Sequence, residues 1–93
     1  MKAFCWDAEK NKQLKAERGV QFEQVVLAIQ QGQLLDILQH HNPEKYPHQR
    51  IFIVKFNNYI YCVPFIEDDQ TIFLKTIIPN RKMTKRYRGS QHE

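Results

Sequence analysis

The chain has 93 residues, of which 42% are hydrophobic and 12% aromatic, which predicts one domain near the lower end of what a single core stabilises without metals or disulfides and excludes a disordered chain. No apolar run approaches the roughly 18 to 20 residues of a membrane span, and Met1-Lys2 is followed by no signal-peptide core, so the expected setting is the cytoplasm, without membrane contact. A net charge of +4 permits a polyanionic partner without requiring one, and Cys5 and Cys62, with no CxxC or Cys/His zinc spacing, are expected as buried, reduced residues.

Phe4-Cys5-Trp6 is a short apolar run ended by Asp7, whose carboxylate can cap a helix from Ala8 to about Glu17, with Gly19 as its left-handed stop. That helix is highly charged, and Leu14 and the alanines are its only apolar positions. Gln21 to Gln31 is better patterned: Phe22, Val25, Val26 and Ile29 recur at i, i+3, i+4, i+7, and Gly32 closes the segment. Leu34 to Leu38 reads as a short strand, antiparallel to one starting at Ile51. The intervening loop holds His40, His41 and His48. Pro43 and Pro47 make it irregular and no carboxylate sits at ligand spacing, so the histidines read as bystanders and no metal or cofactor is implied.

Three strands follow, Ile51 to Phe56, Tyr59 to Ile66 and Thr71 to Ile78, separated by Asn57-Asn58 and by Glu67-Asp68-Asp69-Gln70, the sequence form of an antiparallel meander. A two-residue Asn turn pairs Phe56 with Tyr59, Val54 with Tyr61 and Phe52 with Val63; a four-residue acidic turn pairs Val63 with Leu74 and Phe65 with Ile72. One face then collects Phe52, Val54, Phe56, Tyr61, Val63, Phe65, Ile72, Leu74 and Ile78, the surface for the Phe22/Val25/Val26/Ile29 stripe to cover. The other carries Ile51, Ile53, Ile60, Cys62, Ile66, Phe73 and Ile77 with Lys55 and Lys75. Pro64 conflicts with a central strand, so either the strand bulges there or a neighbour stops short. The histidine loop joins the sheet at the Ile51/Ile66 end, whereas Lys55 and the start of the tail lie about 15 Å away, which separates histidines from lysine patch.

From Pro79 onward the chain is a basic tail: Arg81, Lys82, Lys85, Arg86 and Arg88 face one acid, Glu93, a local excess equal to the net charge of the whole chain. A solvated end is the bland reading. Because the tail leaves the last strand after a single Pro79-Asn80 step, its first charges must lie on or beside the sheet edge. No Gly-rich phosphate loop, GxSxG, HExxH or Walker pattern is present, so spacing alone names no enzyme class.

At two places the chain resembles the BrnT family of type II toxins, in the RelE/ParE superfamily. Trp6-Asp7-x-x-Lys10 followed by Gly19-Val20-Gln21-Phe22-Glu23 is similar to the family's W-D-x-x-K and H-G-V-x-F-E, and Ile77-Ile78-Pro79-Asn80-Arg81-Lys82-Met83-Thr84 to its closing I-I-S-A-R-K-A-T. Arg50 sits where the family tends to open a strand with Arg. Leu14, Arg18, Thr76 and Tyr87 depart from the pattern, standing where Asn, His, Arg and an acid are usual. The resemblance implies an α+β fold over residues 1–93, a small antiparallel sheet with two N-terminal helices on one face in the order β-α-α-β-β-β-β. It also implies endoribonuclease activity on messenger RNA, on or off the ribosome, and neutralisation by a ribbon-helix-helix antitoxin in a heteromeric complex.

Cleavage without a metal, by attack of the RNA 2′-hydroxyl on the adjacent phosphate, needs cations around the phosphate and a proton acceptor and donor. Arg81, Lys82, Tyr87 and Arg50 are the catalytic candidates; Lys55, Lys75, Lys85, Arg86 and Arg88 are the nucleic-acid-binding ones. The alternative is a non-catalytic module of the same fold that binds nucleic acid or gyrase, with Tyr59 and Tyr87 as stacking aromatics beside the basic residues.

Overall fold

The computed structural model describes residues 2–91, with side chains described through Arg86. The elements in chain order are β1 (Ala3–Trp6), α1 (Ala8–Arg18), α2 (Phe22–Gln30), β2 (Leu34–Gln39), β3 (Gln49–Phe56), β4 (Tyr59–Glu67), β5 (Thr71–Leu74), β6 (Ile78–Pro79) and α3 (Arg81–Gln91). The strands form one sheet in the order β1-β5-β4-β3-β2, with β6 also paired to β4. The sheet is mixed, not antiparallel as expected, because β1 runs parallel to β5 while every other pair is antiparallel. The two helices between β1 and the meander return the chain to the far edge of the sheet, as a parallel pairing requires. Among the described residues no helix is long and apolar enough to cross a membrane.

The local signals act as their chemistry dictates. The Asp7 carboxylate accepts the Glu9 N–H at 2.9 Å, and Gly19 ends α1 at φ 68°. The joint between the helices is held from inside: Asn11 Oδ1 accepts the Phe22 N–H at 2.8 Å, and Asn11 Nδ2 donates to Glu23 Oε1 at 2.8 Å. Asn57 and Asn58 adopt φ 55° and 59°, the left-handed pair of a two-residue hairpin turn, and the β3–β4 register is the expected one. The helix stripe meets the sheet face as expected. Leu14, Val20, Phe22 and Val25 are buried with Phe52, Val54, Tyr61, Val63, Phe65 and Leu74, and the half-buried Val26 and Ile29 pack against them. Trp6 stacks on Phe22 with centroids 5.7 Å apart.

Three expectations about the last third of the chain fail, for related reasons. The β4–β5 register is two residues off: Phe65, not Val63, pairs with Leu74, and Glu67 pairs with Ile72. Asp68 causes the shift, since its Oδ1 accepts the N–H groups of Gln70 and Thr71 at 2.8 and 2.7 Å and moves the turn one residue on, leaving Glu67 in the strand. The strand expected to run from Thr71 to Ile78 breaks after Leu74, so alternation loses phase: Ile77 is buried in the helix-side core, while Ile78 pairs with Cys62 and is 44% exposed. The cause is Pro64. In the register of a two-residue hairpin, the backbone groups of residues 60, 62 and 64 face away from β3. Lys75 N donates to Pro64 O at 2.8 Å, but Pro64 has no N–H to return, and the ladder stops there. Lastly, the basic tail is a helix, α3.

Candidate nucleic-acid interface

Two residues of the closing motif fasten α3 to the central strand. Asn80 caps the helix, its Oδ1 accepting the Met83 N–H at 3.0 Å. Asn80 N also donates to Ile60 O at 2.9 Å, continuing the ladder that β6 began. Thr84 is 5% exposed; its hydroxyl donates to Asn80 O at 2.8 Å and accepts the Ile60 N–H at 2.9 Å. Both outward backbone groups of Ile60 are thereby satisfied by the start of α3. Between these anchors Arg81 and Lys82 are exposed, and neither makes an ion pair or hydrogen bond among the described residues. Lys85 and Arg86 are exposed one turn further on. Tyr87 and Arg88 fall on α3, and their side chains lie outside the described residues.

The face of the sheet turned away from α1 and α2 can be read as rows from the pairings. One row runs His40, Gln49, Ile66, Phe73, Cys5; the next Leu38, Ile51, Pro64, Lys75; then Asp36, Ile53, Cys62, Ile78; and last Lys55, Ile60, Asn80. The two ends differ in cover. Ile53 and Ile60 are each 1% exposed where α3 packs on β4, whereas Leu38 at 38%, Ile66 at 37% and Phe73 at 37% lie open at the other end. The register places one acid on these rows, Asp36, at the outer strand, and its Oδ1 accepts the Ile37 N–H at 2.8 Å.

The structure distributes the candidates over three places. Lys55, half-buried, shares the last row with Asn80, two strand spacings or about 10 Å away along the backbone, which puts it at the end of the sheet where α3 starts. Lys75 does not lie there. The two-residue register shift carries it toward the opposite end, where its Nζ donates to Gln49 Oε1 at 3.4 Å. Arg50 lies on the other face altogether: it pairs with Phe65, its guanidinium stands 5.4 Å over that ring, and it donates to the Glu67 carboxylate, which also binds Lys2 at 2.7 Å. Tyr59 is half-buried beside Tyr61 on the helix-side core, so it is not the exposed aromatic expected beside the basic residues. Cys5 and Cys62 are half-buried free thiols, and Cys62 Sγ accepts from Asn80 Nδ2 at 3.4 Å.

The histidines separate from α3 as expected but not from Lys75. His40 stacks on His41 and meets Tyr46 at a tilt, with centroids 4.2 and 4.6 Å away. Burial first, then the charges of His41 and Lys75, push its pKa below the ordinary value. Its Nδ1 accepts the Asn42 N–H at 3.1 Å, which leaves the proton of the neutral ring on Nε2. A ring so tautomerised presents a donor, not a base. Among the described residues no three His, Cys, Asp or Glu side chains converge as a metal site would require.

Most motif residues on which the resemblance rests are structural. Asp7, Gly19 and Asn80 cap or stop helices, Trp6, Val20 and Phe22 pack, Glu23 holds Asn11, and Thr84 anchors α3; Arg81 and Lys82 present unpaired charge from exposed positions, and Lys10 does so from a half-buried one. Arg18, where the motif has His, donates from Nη1 to Ile77 O at 2.6 Å and ties α1 to the segment after β5. Comparison of the chain with family models, with curated proteins and with solved structures finds no match in any of the three.

Proposed function

We propose that this protein is a toxin of the BrnT kind, with a RelE-like domain that binds and cleaves messenger RNA, inhibits translation and growth, and is held inactive by a ribbon-helix-helix antitoxin. The observation that carries the reading is the pair Arg81-Lys82: two exposed, unpaired cations fixed between Asn80 and Thr84 on the central strand, at one end of an open sheet face. Cations held in place against a phosphate stabilise the charge it gains during in-line attack, because they need no reorganisation as the reaction proceeds. Lys55 in the same row and Lys85 on the next turn extend the positive surface along the RNA backbone, as phosphate contacts that set affinity without reading sequence. Tyr87 completes the proposal as proton donor or acceptor.

One observation favours the second reading, a non-catalytic module that binds nucleic acid or gyrase. Arg50, the fourth catalytic candidate, is neutralised by Glu67 on the opposite face, so the catalytic set is smaller than the sequence suggested. Comparing Arg81→Ala with Arg88→Ala, in cleavage and in binding of one RNA across a salt series, separates the two. A catalytic Arg81 predicts a loss of cleavage far exceeding the loss of binding, and a much smaller effect at Arg88. Equal effects at the two positions, each lowering the salt dependence by about one counterion, support the binding module. No cleavage by the unmutated protein, with or without ribosomes, refutes the nuclease.

A further inference from the structure

Phe73 stands apart from the other strand aromatics. Phe4, Trp6, Phe52, Phe56, Tyr59, Tyr61 and Phe65 all lie in or against the helix-side core, whereas Phe73 is, among the described strand residues, the one aromatic that the register places on the open face, and it is 37% exposed. Its direct cross-strand neighbour Ile66 is equally exposed, so ring and aliphatic chain together form an open apolar patch. Lys75, two residues on, sends its ammonium across β4 to Gln49, in the row that contains Ile66 and Phe73. His40, in the same row, makes a further aromatic edge.

We propose that Phe73 is a stacking platform for an unpaired base of single-stranded RNA, with Lys75 holding the adjacent phosphate. The inference rests on the RNA reading of α3 and extends it to a second contact on the same strand. A nucleobase fits because it offers a π-face to the ring while its phosphate meets the ammonium, the pairing of aromatic floor and cation by which single strands are held. The charge of the face agrees: its rows carry Lys55 and Lys75, α3 borders it with Arg81, Lys82 and Lys85, and Asp36 sits at the outer strand turned to its own backbone. The Phe73 row lies six residues along β4 from the Ile60 row where α3 is anchored, about 20 Å, so a single strand crossing the face meets the platform at one end and Arg81-Lys82 at the other.

The test is the anisotropy of a fluorescein-labelled unstructured RNA oligomer with the full chain, wild type against Phe73→Ala, Phe73→Leu and Phe73→Trp, each checked by thermal melt. Stacking predicts about 5- to 150-fold weaker binding for Phe73→Ala, retention in Phe73→Trp, and loss in Phe73→Leu despite its apolar bulk. A matched oligomer of abasic riboses should bind wild type and Phe73→Ala alike. Lys75→Gln should lower the salt dependence by about one counterion. Should Phe73→Leu or Phe73→Ala bind as tightly as wild type, the platform is overturned while the RNA reading stands. If the wild-type chain binds no single-stranded RNA, the reading of α3 fails and the platform with it.

Discussion

Thr84→Val tests how much one hydroxyl contributes to fastening α3 to the sheet. The substitution keeps the side-chain shape and removes the group that accepts the Ile60 N–H at 2.9 Å, in a residue 5% exposed against one that is 1% exposed. A buried donor left without a partner costs about 1 to 3 kcal/mol. For a domain of this size each kcal/mol shifts Tm by about 4 to 8 °C, so Tm should fall by about 4 to 24 °C. Thr84→Ser keeps the hydroxyl and loses one methyl group, at about 0.8 kcal/mol, so it should sit much closer to wild type. Differential scanning calorimetry gives the stabilities, and hydrogen exchange at the Ile60 amide reports the bond directly: slow in wild type and Thr84→Ser, fast in Thr84→Val. A Val variant with wild-type Tm and a still protected Ile60 amide would refute the reasoning, since the N–H would then have another partner.

Two further outcomes follow from the charged groups. Hydrogen bonds from Lys2 and then Arg50 hold the Glu67 carboxyl below its ordinary 4.5, so the stability it contributes is present above that pH and lost as pH falls through the lowered value. Glu67→Gln should therefore melt lower than wild type at about pH 6 and converge with it as pH falls from 4.5 through the lowered value; parallel melting curves across that fall would remove the ion pairs from the account. If the proposed toxin reading holds, replacing His40, His41 and His48 together with Gln should leave the growth arrest it implies intact, His40 using its Nδ1 on the Asn42 N–H; a folded triple variant that loses an arrest the unmutated chain causes would restore a histidine mechanism.

The two N-terminal helices and the first hairpin of the meander were legible because each signal there is local, whereas the parallel pairing of β1 with the distant β5 was not. Asp7, Gly19 and the Asn57-Asn58 pair act through their own backbone, and the Phe22/Val25 stripe has one large apolar face to meet. The helix α3 was not legible from propensity alone: its residues after Asn80 are mostly charged, and what holds its first turn is tertiary, the Ile60 N–H received by Thr84. The placement of Arg50 was likewise hidden, since an arginine opening a strand can serve either face until its neighbour across the sheet is known. Phe73 was assigned to the right face, but whether that face is covered depends on where α3 lies, which the strand pattern does not encode.

The turn after β4 was the decisive ambiguity, and its consequence reaches the candidate site. A shift of two residues keeps every side chain on its face, so the hydrophobic pattern cannot detect it. Only Asp68, accepting from Gln70, Thr71 N–H and the Thr71 hydroxyl, distinguishes the two registers. That shift places Lys75 opposite Pro64, and Pro64, by returning no N–H, makes it the last residue of β5's ladder. The chain is then released into the core at Ile77, returns to β4 through Ile78–Pro79, and starts α3 on Ile60. One aspartate and one proline thereby send the two cations that the sequence put together, Lys55 and Lys75, to opposite ends of the open face, and a ligand that needs both must be long enough to cross it.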